Sequence, residues 1–231
     1  MMFVGNAALS SAASVNFDFS TGIVADFGFF DTGGGYFALD DSGGNLIIET
    51  ENAPALEDGI IEGGYVYSKF KLGGDFSIAV DYKMLSPWLS GTQIQLNTDG
   101  MVVVRSLEGY PNYHIWDGSH WQGTVANTDN SASFKIVRIG TQISGYYNST
   151  HLYTQSTSID DMFFSVCLQG NGWGDFPGGA LAASFDNFSI TADYFVDLKA
   201  PINPVPEPAA MLLFGTGLAG LAAARRRKKV C

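Results

Sequence analysis

Residues 74–82 read Gly-Asp-Phe-Ser-Ile-Ala-Val-Asp-Tyr. Phe76, Ile78, Val80 and Tyr82 alternate with Ser77, Ala79 and Asp81. A period of two puts one set on each face of an extended chain, so this is a half-buried β-strand. The pattern repeats outward in both directions. Tyr65 to Leu72 precedes it across Gly73-Gly74-Asp75. Further short apolar runs are Val15 to Phe19, Asn45 to Glu49, Thr92 to Leu96, Met101 to Ser106, Tyr113 to Trp116, Ser133 to Ile139, Gln142 to Asn148 and Phe163 to Gln169. Phe185, Phe188 and Ile190 bracket Asp186-Asn187, a spacing that suits a bulge. Gly33-Gly34-Gly35, Asp41-Ser42-Gly43-Gly44, Gly73-Gly74-Asp75 and Asp99-Gly100 mark turns, the last a hairpin signal. About a dozen strands and no convincing helix result. The expected fold class is all-β, a two-sheet antiparallel jelly-roll sandwich, which buries one face of each sheet.

Composition agrees. The chain has 231 residues, 46% apolar and only 15% charged, with 28 glycines. That length buries a sizeable core without disulfides. The low charge excludes a coiled coil and a charge-driven disordered chain. The net charge is −11, yet five cations cluster at Arg225, Arg226, Arg227, Lys228 and Lys229. Removing residues 206–231 leaves seven cations against twenty-two carboxylates, a balance of −15. Phosphate binding needs Lys and Arg to displace counterions, so nucleic acid is excluded as a partner. Cys167 sits in an apolar run and reads as a small buried hydrophobe; Cys231 follows the basic cluster.

The C-terminus is tripartite. Pro204 to Pro208 reads Pro-Val-Pro-Glu-Pro, which cannot be helical. Ala209 to Ala224 follows with sixteen uncharged residues, and then come the five cations. The apolar run is slightly short for a membrane helix, which needs about 20 residues, and snorkelling of Arg225 extends it. Five cations behind it place the tail in the cytoplasm and the body outside. At the other end, Met1 to Ser14 carries a small-residue site, Ala12-Ala13-Ser14, behind a weak apolar core without basic residues. It reads as a signal peptide trimmed at its front. The expected organisation is a leader over 1–14, a β-sandwich over 15–200, and a linker with sorting signal over 201–231.

The C-terminal pattern resembles the PEP-CTERM sorting signal of Gram-negative bacteria. Pro206, Glu207 and Pro208 carry the match, with Ala209 to Ala224 and Arg225, Arg226 and Arg227 behind them. The resemblance implies recognition and processing by an exosortase-type membrane protease. It also implies a transient stay in the inner membrane, then the cell surface or the exopolysaccharide matrix. The body is similar to concanavalin A-like lectin and glucanase sandwiches. Tyr65 to Leu72 with Gly74 to Tyr82, Phe134 to Gly140 with Ile143 to Tyr147, and Ala183 to Ile190 carry that likeness. It implies a glycan-binding, glycan-cleaving or purely structural module. Jelly rolls of this kind often hold a structural calcium ion near the first and last strands, where Asp18 and Asp186 stand here. Calcium takes six to eight oxygens, so two carboxylates alone do not suffice.

Catalytic motifs are sparse. Glucanases of this fold place carboxylates in a Glu-x-Asp-x-x-Glu spacing, which is missing. Glu49 with Glu51, and Glu57 with Asp58 and Glu62, are the nearest approaches. His114, His120 and His151 have no Gly-x-Ser-x-Gly nearby. His114, His120 and Asp117 share one aromatic loop. Aromatics are the stronger signal, because sugar rings stack on Trp and Tyr while amides and carboxylates bond the hydroxyls. Trp173, in Gly170-Asn-Gly-Trp-Gly-Asp175, lies in a stretch too rich in glycine for a core. The candidate carbohydrate-binding residues are Trp173, Asp175, Trp116, Tyr113 and Trp88. The sequence favours a non-catalytic carbohydrate-binding or matrix module. A glycoside hydrolase or lyase of the same fold, and a purely structural envelope protein, are the alternatives.

Overall fold

The alternation at residues 76–82 does what it predicts. Phe76, Ile78, Val80 and Tyr82 are buried, and Ser77, Ala79 and Asp81 turn toward the opposite face. In the computed structural model these residues form the middle of the strand on which one sheet is built. The structure describes residues 13–17, 19, 25–32, 34–108, 110–126, 128–199 and 203–204.

Among the described residues seventeen strands succeed one another. The first six are β1 (Ala13–Phe17), β2 (Phe27–Asp31), β3 (Ala38–Asp40), β4 (Leu46–Ala53), β5 (Ile61–Ser68) and β6 (Lys71–Met84). Then come β7 (Thr92–Thr98), β8 (Met101–Glu108), β9 (Tyr110–Trp116), β10 (Trp121–Ala126), β11 (Ser131–Ile139) and β12 (Gln142–Tyr147). The last are β13 (Thr150–Ser156), β14 (Asp161–Met162), β15 (Phe164–Asn171), β16 (Gly179–Val196) and β17 (Asn203–Pro204), with a 3-10 turn at Gly172–Gly174. The count exceeds a dozen because β3, β14 and β17 are too short to show a period, while β2, β10 and β13 lack a clean apolar–polar alternation. Gly73-Gly74-Asp75, expected as a turn, continues β6, and the chain bends at Lys69-Phe70 instead. The stretch read as an aromatic loop is instead the hairpin of β9 and β10, with Trp121 opposite Trp116.

Two antiparallel sheets result, a jelly-roll sandwich. The first runs β13-β12-β11-β6-β16-β1-β17, with β4 also on β16, β3 on β4 and β14 on β6. The second runs β10-β9-β8-β7-β15-β5-β2. Asp99-Gly100 forms the β7–β8 hairpin turn, and the register of β16 against β6 shifts between Asp186 and Ser189, where the bulge was expected. The layers meet over Phe, Ile, Leu and Val side chains. At the β1 and β2 ends, Phe17, Phe19 and Phe188 gather around Phe27, their centroids 4.7, 5.6 and 6.2 Å from its own. These contacts are edge-to-face, the arrangement ring quadrupoles favour.

Both ends of the described chain meet on the first sheet. Ala13 and Ser14, the end of the expected leader, open β1 opposite Ala192 and Thr191. On its free side the same two residues pair with Pro204 and Asn203 of β17. Among the described residues no helix is long and apolar enough to cross a membrane. The apolar run Ala209 to Ala224, together with Pro206, Glu207, Pro208, Arg225, Arg226 and Arg227, lies outside the described residues.

Candidate functional site

Strand β7 is buried on both faces, unlike the outer strands. Ile94 and Leu96 point into the sandwich, so Gln93 and Gln95 point outward, and yet they are only 2% and 9% exposed. The outer face of the second sheet is therefore a covered concavity. It forms a groove of about 530 Å³. Gln93, Gln95, Gln169 and Asn171 make its polar lining, and Val102, Val104 and Ile61 its apolar one. Trp116, Trp121 and Trp173 stand around it.

The amides form a connected floor. Antiparallel register sets Gln169 of β15 beside Gln93 of β7. Gln93 Oε1 accepts from Gln95 Nε2 at 2.8 Å and from Gln169 Nε2 at 2.7 Å. Gln169 Oε1 accepts from the Tyr65 hydroxyl at 2.6 Å and from Cys167 Sγ at 3.3 Å. Buried polar groups need such partners, and here they fix the orientation of each amide.

Backbone geometry holds the third tryptophan in place. Asn171 caps the Gly172–Gly174 turn, its Oδ1 accepting from Trp173 N at 3.0 Å. Asp175 closes the turn in the left-handed region at φ 53°, its N–H donating to Gly172 O at 3.0 Å. Gly172 N donates to Ile60 O at 2.8 Å, and a Cβ on Gly172 would lie 1.9 Å from Glu57 O. Only glycine lets these two loops approach so closely. Trp173 emerges 64% exposed.

Beside the groove, His114 is buried on the outer face of β9. Its ring lies 4.1 Å from that of Trp121, and its Nε2 is 3.2 Å from Ser106 Oγ. Burial, then the charge of Arg105, lowers its pKa to about 4, so the ring is neutral at pH 7. A second depression, of about 590 Å³, lies on the same face toward the other end of β7 and β15. It is bordered by Phe30, Tyr67, Asn97 and Phe163, with Lys69 and Asp99.

Of the sequence candidates, Trp173 and Trp116 meet in the groove. The others do not. Tyr113 is fully buried on the inner face, its ring centroid 3.5 Å from that of Tyr147 and its hydroxyl paired with that of Tyr82. It lies three residues from Trp116, and on a strand an odd separation means opposite faces. Trp88 is half-buried against Arg105, whose guanidinium lies 4.3 Å from its ring, and it donates to Asn130 Oδ1 at 3.0 Å. Asp175 is an exposed capping residue outside the groove lining. Asp186 is a bulge residue whose Oδ1 accepts from Asn187 N at 2.7 Å, and Asp18 lies outside the described residues. Among the described residues no three His, Cys, Asp or Glu side chains gather in a metal-ligating cluster. Asp117 is held near pKa 2 by the His120 and Ser119 backbone N–H groups, an Asx-type turn. Glu57 and Asp58 lie in an exposed turn, and Glu62 turns inward, its pKa raised by burial and by Asp31.

Comparison with known proteins agrees on both parts of the chain. Residues 204–228 match the PEP-CTERM protein-sorting motif. No curated protein matches the chain in sequence. Many solved structures share its fold. An alginate lyase of polysaccharide lyase family 7, AlgAT5, superposes with a TM-score of 0.51 at 14% identity, covering 68% of this chain and 82% of its own. A structure reported for endo-acting O-glycanases of the human gut microbiota gives 0.54 at 12% identity, covering 80% and 99%. The carbohydrate recognition domain of Emp46p, in a metal-free form, gives 0.52 at 6% identity, covering 75% and 91%. The body thus shares the β-sandwich fold of these structures, and residues 204–228 carry a PEP-CTERM sorting motif. That motif implies an exported protein of a Gram-negative bacterium, processed by an exosortase.

Proposed function

We propose that the sandwich is a non-catalytic carbohydrate-binding module, passed transiently through the inner membrane and delivered to the cell surface or extracellular matrix. The observation that carries this reading is the convergence of Trp116, Trp121 and Trp173 on a floor of Gln93, Gln95 and Gln169. Indole faces stack on the CH faces of sugar rings, and carboxamides exchange hydrogen bonds with hydroxyls. Binding needs only these groups.

Glycosidic hydrolysis needs more. It uses two carboxyl groups, about 5–5.5 Å apart for retention or 6.5–9.5 Å for inversion. The described groove lining contains neither Asp nor Glu. His114, the nearest titratable group of the right kind, is buried and bonded to Ser106. The arrangement therefore supports holding a glycan over breaking one.

Affinity electrophoresis of the purified exported protein through gels containing polysaccharide tests this. Retardation that disappears in Trp173→Ala and Trp116→Ala is the expected result. Unretarded migration in every polymer would leave a structural envelope role. Release of reducing ends or of unsaturated uronides would establish catalysis instead.

A further inference from the structure

Resting on the reading of the groove as a glycan site, we infer that its ligand is a neutral, hydroxyl-rich polysaccharide and that uronate polymers are excluded. The first observation is charge. The described lining holds no Lys, Arg, Asp or Glu. Arg105, the closest buried cation, lies on the other face of β8, stacked on Trp88 and donating to Ser106 O. A carboxylate brought into this groove would lose hydration with no cation to replace it, a cost of several kcal/mol. At longer range the net charge of −11 repels a polyanion.

The second observation is hydrogen-bonding valence. A carboxamide has two N–H donors and a carbonyl acceptor. Gln93 Oε1 is engaged twice, by Gln95 and by Gln169. Gln169 Oε1 is also engaged twice, by Tyr65 and Cys167. Gln95 and Gln169 each spend one N–H on Gln93 and retain the other, and the Gln95 carbonyl oxygen keeps its acceptor capacity. The floor thus offers donors and an acceptor side by side. A hydroxyl both donates and accepts, so it satisfies such a pair. A carboxylate only accepts, so it would face the Gln95 oxygen with like polarity. The alginate lyase has the same fold, but fold alone does not carry its ligand over.

The full exported protein, run through gels containing laminarin, galactomannan, alginate or polygalacturonate at low and high salt, tests this. At least one of the two neutral polymers is expected to retard it, equally at both salt levels, with alginate and polygalacturonate at least tenfold weaker. Gln95→Lys is expected to gain salt-sensitive retardation in alginate, and its urea unfolding transition checks that it is folded. Alginate or polygalacturonate binding the parent protein as well as the neutral polymers do would overturn the inference and leave the glycan reading standing. Unretarded migration in all four gels would overturn the glycan reading itself, and the inference with it.

Discussion

Trp116 of β9 lies directly across from Trp121 of β10, ring centroids 5.0 Å apart and planes inclined by 58°. The two rings form a bent wall on one side of the groove, with Trp173 as a separate, more exposed ring. Trp173 is 64% exposed, so its removal leaves little cavity. Trp173→Ala is expected to leave the urea unfolding midpoint nearly unchanged while weakening polysaccharide binding about tenfold, equivalent to about 1.4 kcal/mol. Titration calorimetry and urea denaturation of the same sample separate the two effects.

Gly172→Ala reaches the same ring indirectly. The added methyl would sit 1.9 Å from the Glu57 carbonyl oxygen, against backbone that cannot rotate away. The turn must shift, carrying Trp173 with it. We expect a stability loss of about 1–3 kcal/mol and a binding loss at least equal to that of Trp173→Ala. Unchanged binding in this variant would show that the position of Trp173 is not held by the Glu57 loop.

Tyr113 behaves in the opposite way. It is fully buried, stacked on Tyr147 and bonded through its hydroxyl to Tyr82. Tyr113→Ala is expected to cost about 3–5 kcal/mol. Tyr113→Phe removes only the hydroxyl and its bonds to Tyr82 and Tyr147, at a cost of about 1–3 kcal/mol. Glycan affinity of Tyr113→Phe is expected to equal that of the parent, as fits a residue of the inner face.

His114 makes stability depend on pH. Its folded pKa of about 4 lies below the ordinary 6.5, because burial and Arg105 disfavour the imidazolium. Between these values the unfolded chain binds more protons than the folded one, so stability falls as pH falls from 6.5 toward 4. The loss from this residue is roughly 3 kcal/mol over that window. His114→Gln is expected to flatten this part of the stability profile, measured by urea titration at a series of pH values.

The sorting motif predicts a size change. Replacing Pro206, Glu207 and Pro208 by alanine is expected to leave an unprocessed, membrane-retained chain in the native host. Immunoblots of membrane and culture fractions read this directly. Normal processing of the triple variant would remove these residues from the recognition element.

The fold was readable because its strands alternate cleanly. Phe76, Ile78, Val80 and Tyr82 announce a strand with one buried face, and Asp99-Gly100 announces a hairpin. Two of the three groove tryptophans, Trp116 and Trp173, are readable too, Trp173 because glycine on both sides of it argues against a core. The rest failed for identifiable reasons. Tyr113 and Trp116 are near in sequence, but strand parity sends them to opposite faces. The amide floor is hard to read because one glutamine on a strand looks like an ordinary solvated residue. Its signal was Gln93-Ile-Gln95-Leu-Asn97, amides at every second position, with Gln169 added only by the register of β15 on β7. That register is a long-range property, and no local pattern encodes it.

The short pairing of β17 with β1 has a bearing on how the molecule is displayed. The described chain departs at Pro204, from the margin of the layer that carries no tryptophan cleft. The cleft lies on the other layer, spanning from Trp121 of β10 to Ile61 of β5. Pro204, where the matched sorting motif begins, is therefore held on the opposite layer from the three indole rings.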